Sequence, residues 1–358
     1  MTLPLIPPLQ PMLAKSAARI PVGDFAYEPK WDGFRCMVFR DGDSVELYAR
    51  STKPLTRYFP DVAAAFRTSA LPERLVLDGE LVVVQNGRLE FDRLQDRIHP
   101  AESRVTMLAE QTPTSFVAFD LLAEADEDLM ALPYARRRER LVDLFAAAGP
   151  RLHATPVTAD AEEAQRWFEQ FEGAGLDGVV AKSVDAPYVP GQRSMLKIKH
   201  TRTADVVVAG YRLHKTSTPE RPLLGSMLLG LYNADGLLQH VGVSASFKTD
   251  VRAELVPKLD ALRVPIAEHP WNWSAAEDGS RLPGGESRWS AGKDLSFVPI
   301  EPRLVIEVGY DHLEGDRFRH TSQFKRWRDD RDPSSCTYEQ LEEIVSYDLS
   351  EVLGTSAG

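Results

Sequence analysis

Cysteine is nearly absent from this chain of 358 residues: only Cys36 and Cys336 occur. They stand far apart and form no C-x-x-C pair, which excludes a disulfide framework and a cysteine zinc site and makes a reducing cytoplasm the expected compartment. Long apolar runs are also missing. A membrane span needs ~20 consecutive apolar residues, and none is present, so no membrane association is expected. The opening MTLPLIPPLQPMLAKS has too many prolines and too short an apolar stretch for a secretion signal. Net positive charge is lacking too: the formal charge is -11. Taken alone this argues against nucleic acid, because phosphate contacts need Lys and Arg.

The basic residues that do occur are clustered. Arg193, Lys197, Lys199, His200 and Arg202 form one group. Arg317, Arg319, His320, Lys325, Arg326, Arg328 and Arg331 form another, while part of the acidic excess collects at Glu124, Asp126, Glu127 and Asp128. Each basic group reads either as a solvated face or as a phosphate-facing surface.

Periodicity predicts strands and helices in alternation. Phe34, Cys36 and Val38 alternate with Arg35, Met37 and Phe39, the pattern of a half-buried strand. Asp41-Gly42 is a turn signal, and Val45–Ala49 returns as the partner strand. A short helix is predicted over Asp61–Phe66. Leu75–Leu77 and Leu81–Val84 read as strands around an acidic loop, Asp78-Gly79-Glu80. Phe116–Leu122 reads as a buried strand, and Tyr134–Ala147 and Ala161–Ala174 as helices. Gly178–Ala181 and Met195–Ile198 are further strands. After a polar boundary near 199–204 come the strands Asp205–Leu213, Ser226–Tyr232, Leu238–Ser244 and Leu304–Tyr310, a helix over Asp250–Leu262, and a long surface loop over Glu268–Gly292. Beyond Ser335 a short helix and a frayed tail are expected. The expectation is α+β: a domain of antiparallel sheets and helices at 1–200, a small barrel of the OB type at 201–340, and a tail at 341–358.

The chemistry concentrates in Glu28-Pro-Lys30-Trp-Asp32-Gly33-Phe-Arg35. Lysine is a nucleophile only as the neutral amine, and cationic neighbours or a metal ion can supply the deprotonation. Asp32-Gly33 is a tight turn, and Arg35 follows on the polar face of a strand. Lys197 and Lys199 alternate onto one face of their strand, so both ammonium groups enter the same pocket.

In their order, these segments resemble the covalent nucleotidyltransferases, the superfamily of DNA ligases, RNA ligases and mRNA capping enzymes. Residues 28–35 are similar to its lysine motif. Arg50 in Ala-Arg-Ser-Thr-Lys, Asp78-Gly79-Glu80, Phe119-Asp120, Asp177-Gly178-Val-Val-Ala-Lys182, Leu196-Lys197-Ile-Lys199 and Arg326-Trp-Arg328-Asp-Asp-Arg331 resemble the motifs that follow. The resemblance spans about residues 9–335. It implies that Lys30 carries AMP through a phosphoramidate, with Asp32 and Arg35 beside it. It further implies that Glu28 recognises the base, Glu80 contacts the ribose, and Arg35, Arg50, Lys197 and Lys199 hold phosphate. Phe119 reads equally as an adenine-stacking face and as a core residue. Lys182 reads as a surface lysine or, alternatively, as a further charge in the same phosphate-facing field. ATP and Mg²⁺ (or Mn²⁺) are implied as cofactors, with Asp177 and Glu80 as metal carboxylates; Asp177 stands where the family has glutamate. Arg326, Arg328 and Arg331 are implied to face pyrophosphate or, alternatively, DNA phosphates, and Arg331 stands where the family commonly has lysine.

The opening Pro-Met-Leu-Ala-Lys-Ser and the run 50–60 resemble the short bacterial ATP-dependent DNA ligases of end joining and repair. Expected partners are therefore double-stranded DNA with nicks or ends and, by the same resemblance, a Ku-type end-binding protein, with the chain acting as a monomer. An RNA ligase or a GTP-using capping enzyme is the alternative within the superfamily. A non-catalytic nucleic-acid-binding module is the alternative outside it.

Overall fold

The computed structural model describes residues 2–200, 202–272, 274, 281–284, 295–311, 313–341, 347–349 and 352. The chain divides into two compact units: residues 1–200 with 344–358, and residues 201–343.

The first unit contains β1 (Leu13–Ser16), β2 (Phe25–Pro29), β3 (Phe34–Asp41), β4 (Ser44–Ala49), α1 (Pro60–Thr68), β5 (Arg74–Gln85), β6 (Arg88–Leu89), α2 (Phe91–Asp96), α3 (Glu102–Gln111), β7 (Thr114–Glu124), β8 (Glu127–Asp128), α4 (Tyr134–Phe145), β9 (Leu152–Ala154), α5 (Ala161–Gln170), β10 (Val179–Ser183) and β11 (Arg193–Ile198). Two sheets form. One has the order β1-β11-β10-β2, and the other runs β4-β3-β5-β7-β8 with β6 on β5 and β9 on β7. Within the larger sheet the pairs β3–β4, β3–β5 and β5–β7 are antiparallel, and β9 runs parallel to β7. The two-residue period of β3 separates two cores: Cys36 and Val38 face one apolar cluster, Met37 and Phe39 another.

Asp78-Gly79-Glu80, expected as a loop, lies inside the continuous strand β5. Strand neighbours on both sides satisfy its backbone, with Asp78 opposite Met37 of β3 and Asp120 of β7. Gly79 is there because the Phe116 ring crosses it: a Cβ would come within 2.3 Å of that ring.

The second unit is β12 (Arg202–Leu213), β13 (Leu224–Tyr232), β14 (Leu238–Ser244), α6 (Thr249–Asp260), β15 (Val298–Tyr310), β16 (Leu313–Glu314), β17 (Arg317–Phe318) and β18 (Gln323–Trp327). Its five-stranded antiparallel sheet has the order β14-β13-β12-β15-β18. A bridge between Ser244 and Ser322 brings the two edges of that sheet together, the closure an OB-type barrel requires.

Of the loop expected over Glu268–Gly292, residues 273, 275–280 and 285–292 lie outside the described residues. Trp271 departs from a surface reading. It is fully buried, and its indole N–H donates to the Leu238 carbonyl at 2.8 Å. The chain's end departs from a frayed tail in the same way, because Leu349 and Val352 are buried within the first unit. No helix among the described residues is long and apolar enough to cross a membrane.

Candidate active site

Lys30 leaves β2 at the point where the chain meets Asp177-Gly178. The Lys30 amide donates to the Gly178 carbonyl at 2.8 Å, and the Asp177 amide donates back to the Lys30 carbonyl at 2.9 Å. This pair of hydrogen bonds holds the two backbones together and brings the Lys30 and Asp177 side chains against each other. Gly178 has a φ of +120°, and a Cβ there would lie 2.0 Å from the Ile198 carbonyl oxygen, so only glycine fits between the strands.

Lys30 opens onto a cleft of about 290 Å³ within the first unit, lined by cations and few carboxylates: Lys30, Arg35, Arg50, Lys182, Arg193, Lys197 and Lys199 against Glu28 and Glu80. The Asp177 carboxylate oxygen Oδ2 accepts from Lys30 Nζ and Lys199 Nζ, each at 2.6 Å. Burial lowers the affinity of Lys197 for its proton, and the positive charges of Lys199, Lys30 and Arg50 lower it further. A cleft of this kind favours an anion with several negative charges.

Arg35 is held in place rather than free to swing. Its Nε and Nη2 reach the two Asp78 oxygens at 2.5 Å each, and Nη2 also donates to the Met12 carbonyl at 3.2 Å. Tyr188 completes the network, donating to Asp78 Oδ2 at 2.6 Å and accepting from the Met12 amide at 2.9 Å. Burial alone would lower the proton affinity of Arg35; the Asp78 charge and hydrogen bonds more than offset this and raise it. Glu80 shows the opposite balance. Burial pushes its carboxyl up to about 8 despite Arg35 and Lys30 nearby, with Asp32 and Asp78 adding to the rise.

Glu28 is 2% exposed and held through its Oε1. Tyr134 Oη donates to it at 2.5 Å and Lys182 Nζ lies at 2.8 Å. Lys182, read from sequence as a surface lysine, is buried: it lies in β10, donates to the Phe119 carbonyl at 3.0 Å and stands over the Tyr134 ring at 4.7 Å. The reason is pairing, since a buried ammonium needs a carboxylate, and Glu28 is one strand away in the sheet. Phe119 belongs to both the cleft and the core. Its ring lines the cleft and belongs to an apolar cluster, and the Arg35 guanidinium lies 4.7 Å from its centroid.

The structure thus brings Glu28, Lys30, Arg35, Arg50, Glu80, Phe119, Lys197 and Lys199 to one cleft, with Asp177 on Lys30. Asp32 is outside the lining but acts on Glu80 through its charge. His200 does not join: its ring stacks on Phe168 at 3.8 Å. Sequence reasoning missed Arg193 as a cleft residue. The period of β11 could have found it, because Arg193, Met195, Lys197 and Lys199 are alternate residues and all line the cleft. It also missed Tyr134 and Tyr188, whose partners are 106 and 110 residues away and leave no local signal.

Arg326, Arg328 and Arg331 lie in the second unit, where each meets a carboxylate. Arg326 Nη2 is 2.7 Å from Glu307 Oε2. Arg328 Nη1 is 2.8 Å from Asp205 Oδ2, and its Nε is 2.9 Å from Asp330 Oδ1. Arg331 Nε is 3.8 Å from Asp205. The hydrogen bond from Arg328 holds the Asp330 carboxyl down at about 2.

Residues 11–199 match the family described as ATP dependent DNA ligase domain, and residues 220–331 match the ATP dependent DNA ligase C terminal region. The chain belongs to the ATP-dependent DNA ligases. It is 54% identical to DNA ligase C of Mycobacterium tuberculosis, over 99% of both chains. It is 55% identical to DNA ligase C2 of Mycolicibacterium smegmatis, over 96% of both. A solved structure from a study of Lig E DNA ligases shares the fold at a TM-score of 0.53 and 16% identity, covering 89% of this chain and 99% of that one. As an ATP-dependent DNA ligase, the chain is an enzyme with a nucleotidyltransferase fold followed by an OB-type barrel. The RNA-ligase, capping-enzyme and binding-module alternatives give way.

Proposed function

We propose that Lys30 is the residue that carries AMP, and that the chain seals 5′-phosphate/3′-hydroxyl breaks in double-stranded DNA during repair and end joining. The observation that carries this reading is the convergence of cations on the cleft that Lys30 opens into, with Asp177 bridging Lys30 and Lys199.

In this mechanism Asp177 accepts the proton of the Lys30 ammonium, freeing the nitrogen lone pair. Nζ forms a bond to the α-phosphorus of ATP as the bond to the bridging oxygen breaks and pyrophosphate leaves. Lys197 and Lys199 stabilise the charge gathered on the phosphate oxygens. Glu28, held by Tyr134 and Lys182, presents a carboxylate to the base, Phe119 offers a wall for the ring, and Glu80 reaches the ribose. AMP then passes to the 5′-phosphate of the break, which Arg50 and Arg193 draw to the mouth of the cleft. Finally the 3′-hydroxyl attacks that phosphate and AMP departs.

Asp177 and Glu80 are the carboxylates that would hold a divalent ion of the Mg²⁺ or Mn²⁺ kind. One or two carboxylates plus substrate phosphates are its usual protein donors, and no group of three such side chains occurs among the described residues. Such an ion supplies charge neutralisation at the phosphates. Arg328 and Arg331 exchange their carboxylate partners for pyrophosphate in the first step. The domain reading is 1–200 for adenylation and 201–340 for the barrel, acting as a cytoplasmic monomer to which a Ku-type protein delivers DNA ends.

The test uses nicked duplexes with either a DNA or an RNA strand at the break and ATP or GTP as the donor. Sealing of the DNA nick with ATP is the expected result. Sealing that is better on RNA than on DNA would contradict the reading.

A further inference from the structure

The family match ends at residue 331, and the chain continues for 27 residues more. Part of that remainder is buried where the cleft wall needs support. Leu349 is 0% and Val352 5% exposed, in one apolar cluster with Trp31, Val82, Phe119, Phe171 and Leu176. The Tyr347 ring packs on Phe171 with centroids 5.3 Å apart. The segment is also tied by its backbone: the Leu349 amide donates at 2.7 Å to the carbonyl of Gly87. Asn86 and Gly87 both have positive φ, the geometry of a tight hairpin turn, and a Cβ on Gly87 would come within 3.1 Å of the Asp348 carboxylate.

Two members of this cluster matter for chemistry. Trp31 follows Lys30 directly and Phe119 is the ring wall, and both also line the cleft. Trp31 is 4% exposed, with its indole N–H on Thr155 Oγ1 at 2.8 Å, so its position is set by what packs behind it. Among the described residues, none of the C-terminal segment lines the cleft.

We propose that Tyr347, Leu349 and Val352 form a positioning element for the nucleotide cleft, bracing Trp31 and Phe119 from behind, so that adenylation of Lys30 depends on these three residues. Close packing transmits such support, because a side chain whose neighbour is removed relaxes toward the gap. The rank of Leu349 follows from its burial: it is the segment's anchor, and Tyr347 is its edge.

The experiment uses the full chain with Leu349→Asp, Leu349→Ala and Leu349→Met, and reads ATP-dependent self-adenylation; it therefore rests on the reading of Lys30 as the AMP carrier. For Leu349→Ala the apparent KM for ATP should rise roughly tenfold, with a smaller fall in the maximal rate, at a temperature where near-UV circular dichroism is native. Leu349→Met should restore both constants. Leu349→Asp should lose more; should it fail to fold, Leu349→Ala decides by the same readout. A folded Leu349→Ala that melts earlier yet keeps the wild-type KM and rate would overturn the proposal, leaving the segment a purely stabilising one. Absence of label on the wild-type chain would instead overturn the reading of Lys30.

Discussion

Two groups of basic residues in this molecule are alike in composition and opposite in arrangement. In the first unit, Lys30, Arg35, Arg50, Arg193, Lys197 and Lys199 come from three separate stretches of chain and converge on one cleft. In the second unit, Arg326, Arg328 and Arg331 come from one stretch and lie against Asp205, Glu307 and Asp330. The first group concentrates its charge in one cleft, where burial and then mutual repulsion lower the proton affinity of Lys197. The second is neutralised locally by those carboxylates. A basic motif in a sequence therefore does not distinguish a formed site from a paired surface; the carboxylates that face it do.

Breaking the first group should have the larger effect. Lys199→Ala is expected to slow self-adenylation by ~10³-fold, because it removes a cation aimed at the reacting phosphate, as read by rapid-quench labelling with ATP. A fall of less than tenfold would place Lys199 outside the chemistry. Arg328→Ala should slow the same step by ~10²-fold yet leave sealing of a pre-adenylated nick close to wild type. Equal losses in both assays would assign Arg328 to DNA binding instead.

The ion pairs of the two units offer a second comparison, in stability. Arg137 and Asp120 are 0% and 2% exposed and joined at 2.7 Å. Asp120→Ala should cost about 3–5 kcal/mol, since it strands a buried guanidinium, measured by urea unfolding. The Arg326 side chain is 62% exposed, so Arg326→Ala should change stability by less than about 1 kcal/mol. A cost for Arg326→Ala rivalling that of Asp120→Ala would remove the contrast.

A pH-dependent effect concerns Glu80. Its carboxyl titrates at about 8 in the folded chain and at about 4.3 when unfolded. Between those values the folded state holds the extra proton, so the residue's contribution to stability falls as pH rises and levels off above 8. The melting temperature of Glu80→Gln relative to wild type should accordingly increase from pH 5 to pH 8 and then stay flat. A difference that does not change with pH would mean that burial does not hold this carboxyl neutral.

Much of this was legible in the sequence because it is local. The β3 alternation, the helix over Tyr134–Phe145 and the spacing of Lys197 and Lys199 each follow from a short period. What was not legible depends on partners distant in the chain. Asp78-Gly79-Glu80 has the composition of a loop, and only the crossing Phe116 ring and two flanking strands make it a strand. Lys182 is buried because Glu28 is there to pair it, and Tyr134 and Tyr188 gain meaning from Glu28 and Asp78. Polar residues after Ser335 suggested a tail, but three apolar ones, Tyr347, Leu349 and Val352, found a surface that no local pattern announces.

The central claim is that the Lys30 nitrogen forms the covalent bond to AMP. Its most direct test is to incubate wild-type and Lys30→Ala chains with α-labelled ATP and a divalent ion, read intact mass before and after, and treat the denatured protein with acid. The account predicts acid-labile label on the wild-type chain, at Lys30 by peptide mapping, and none on Lys30→Ala. Label retained by Lys30→Ala, or mapped to another lysine of the cleft, would contradict it.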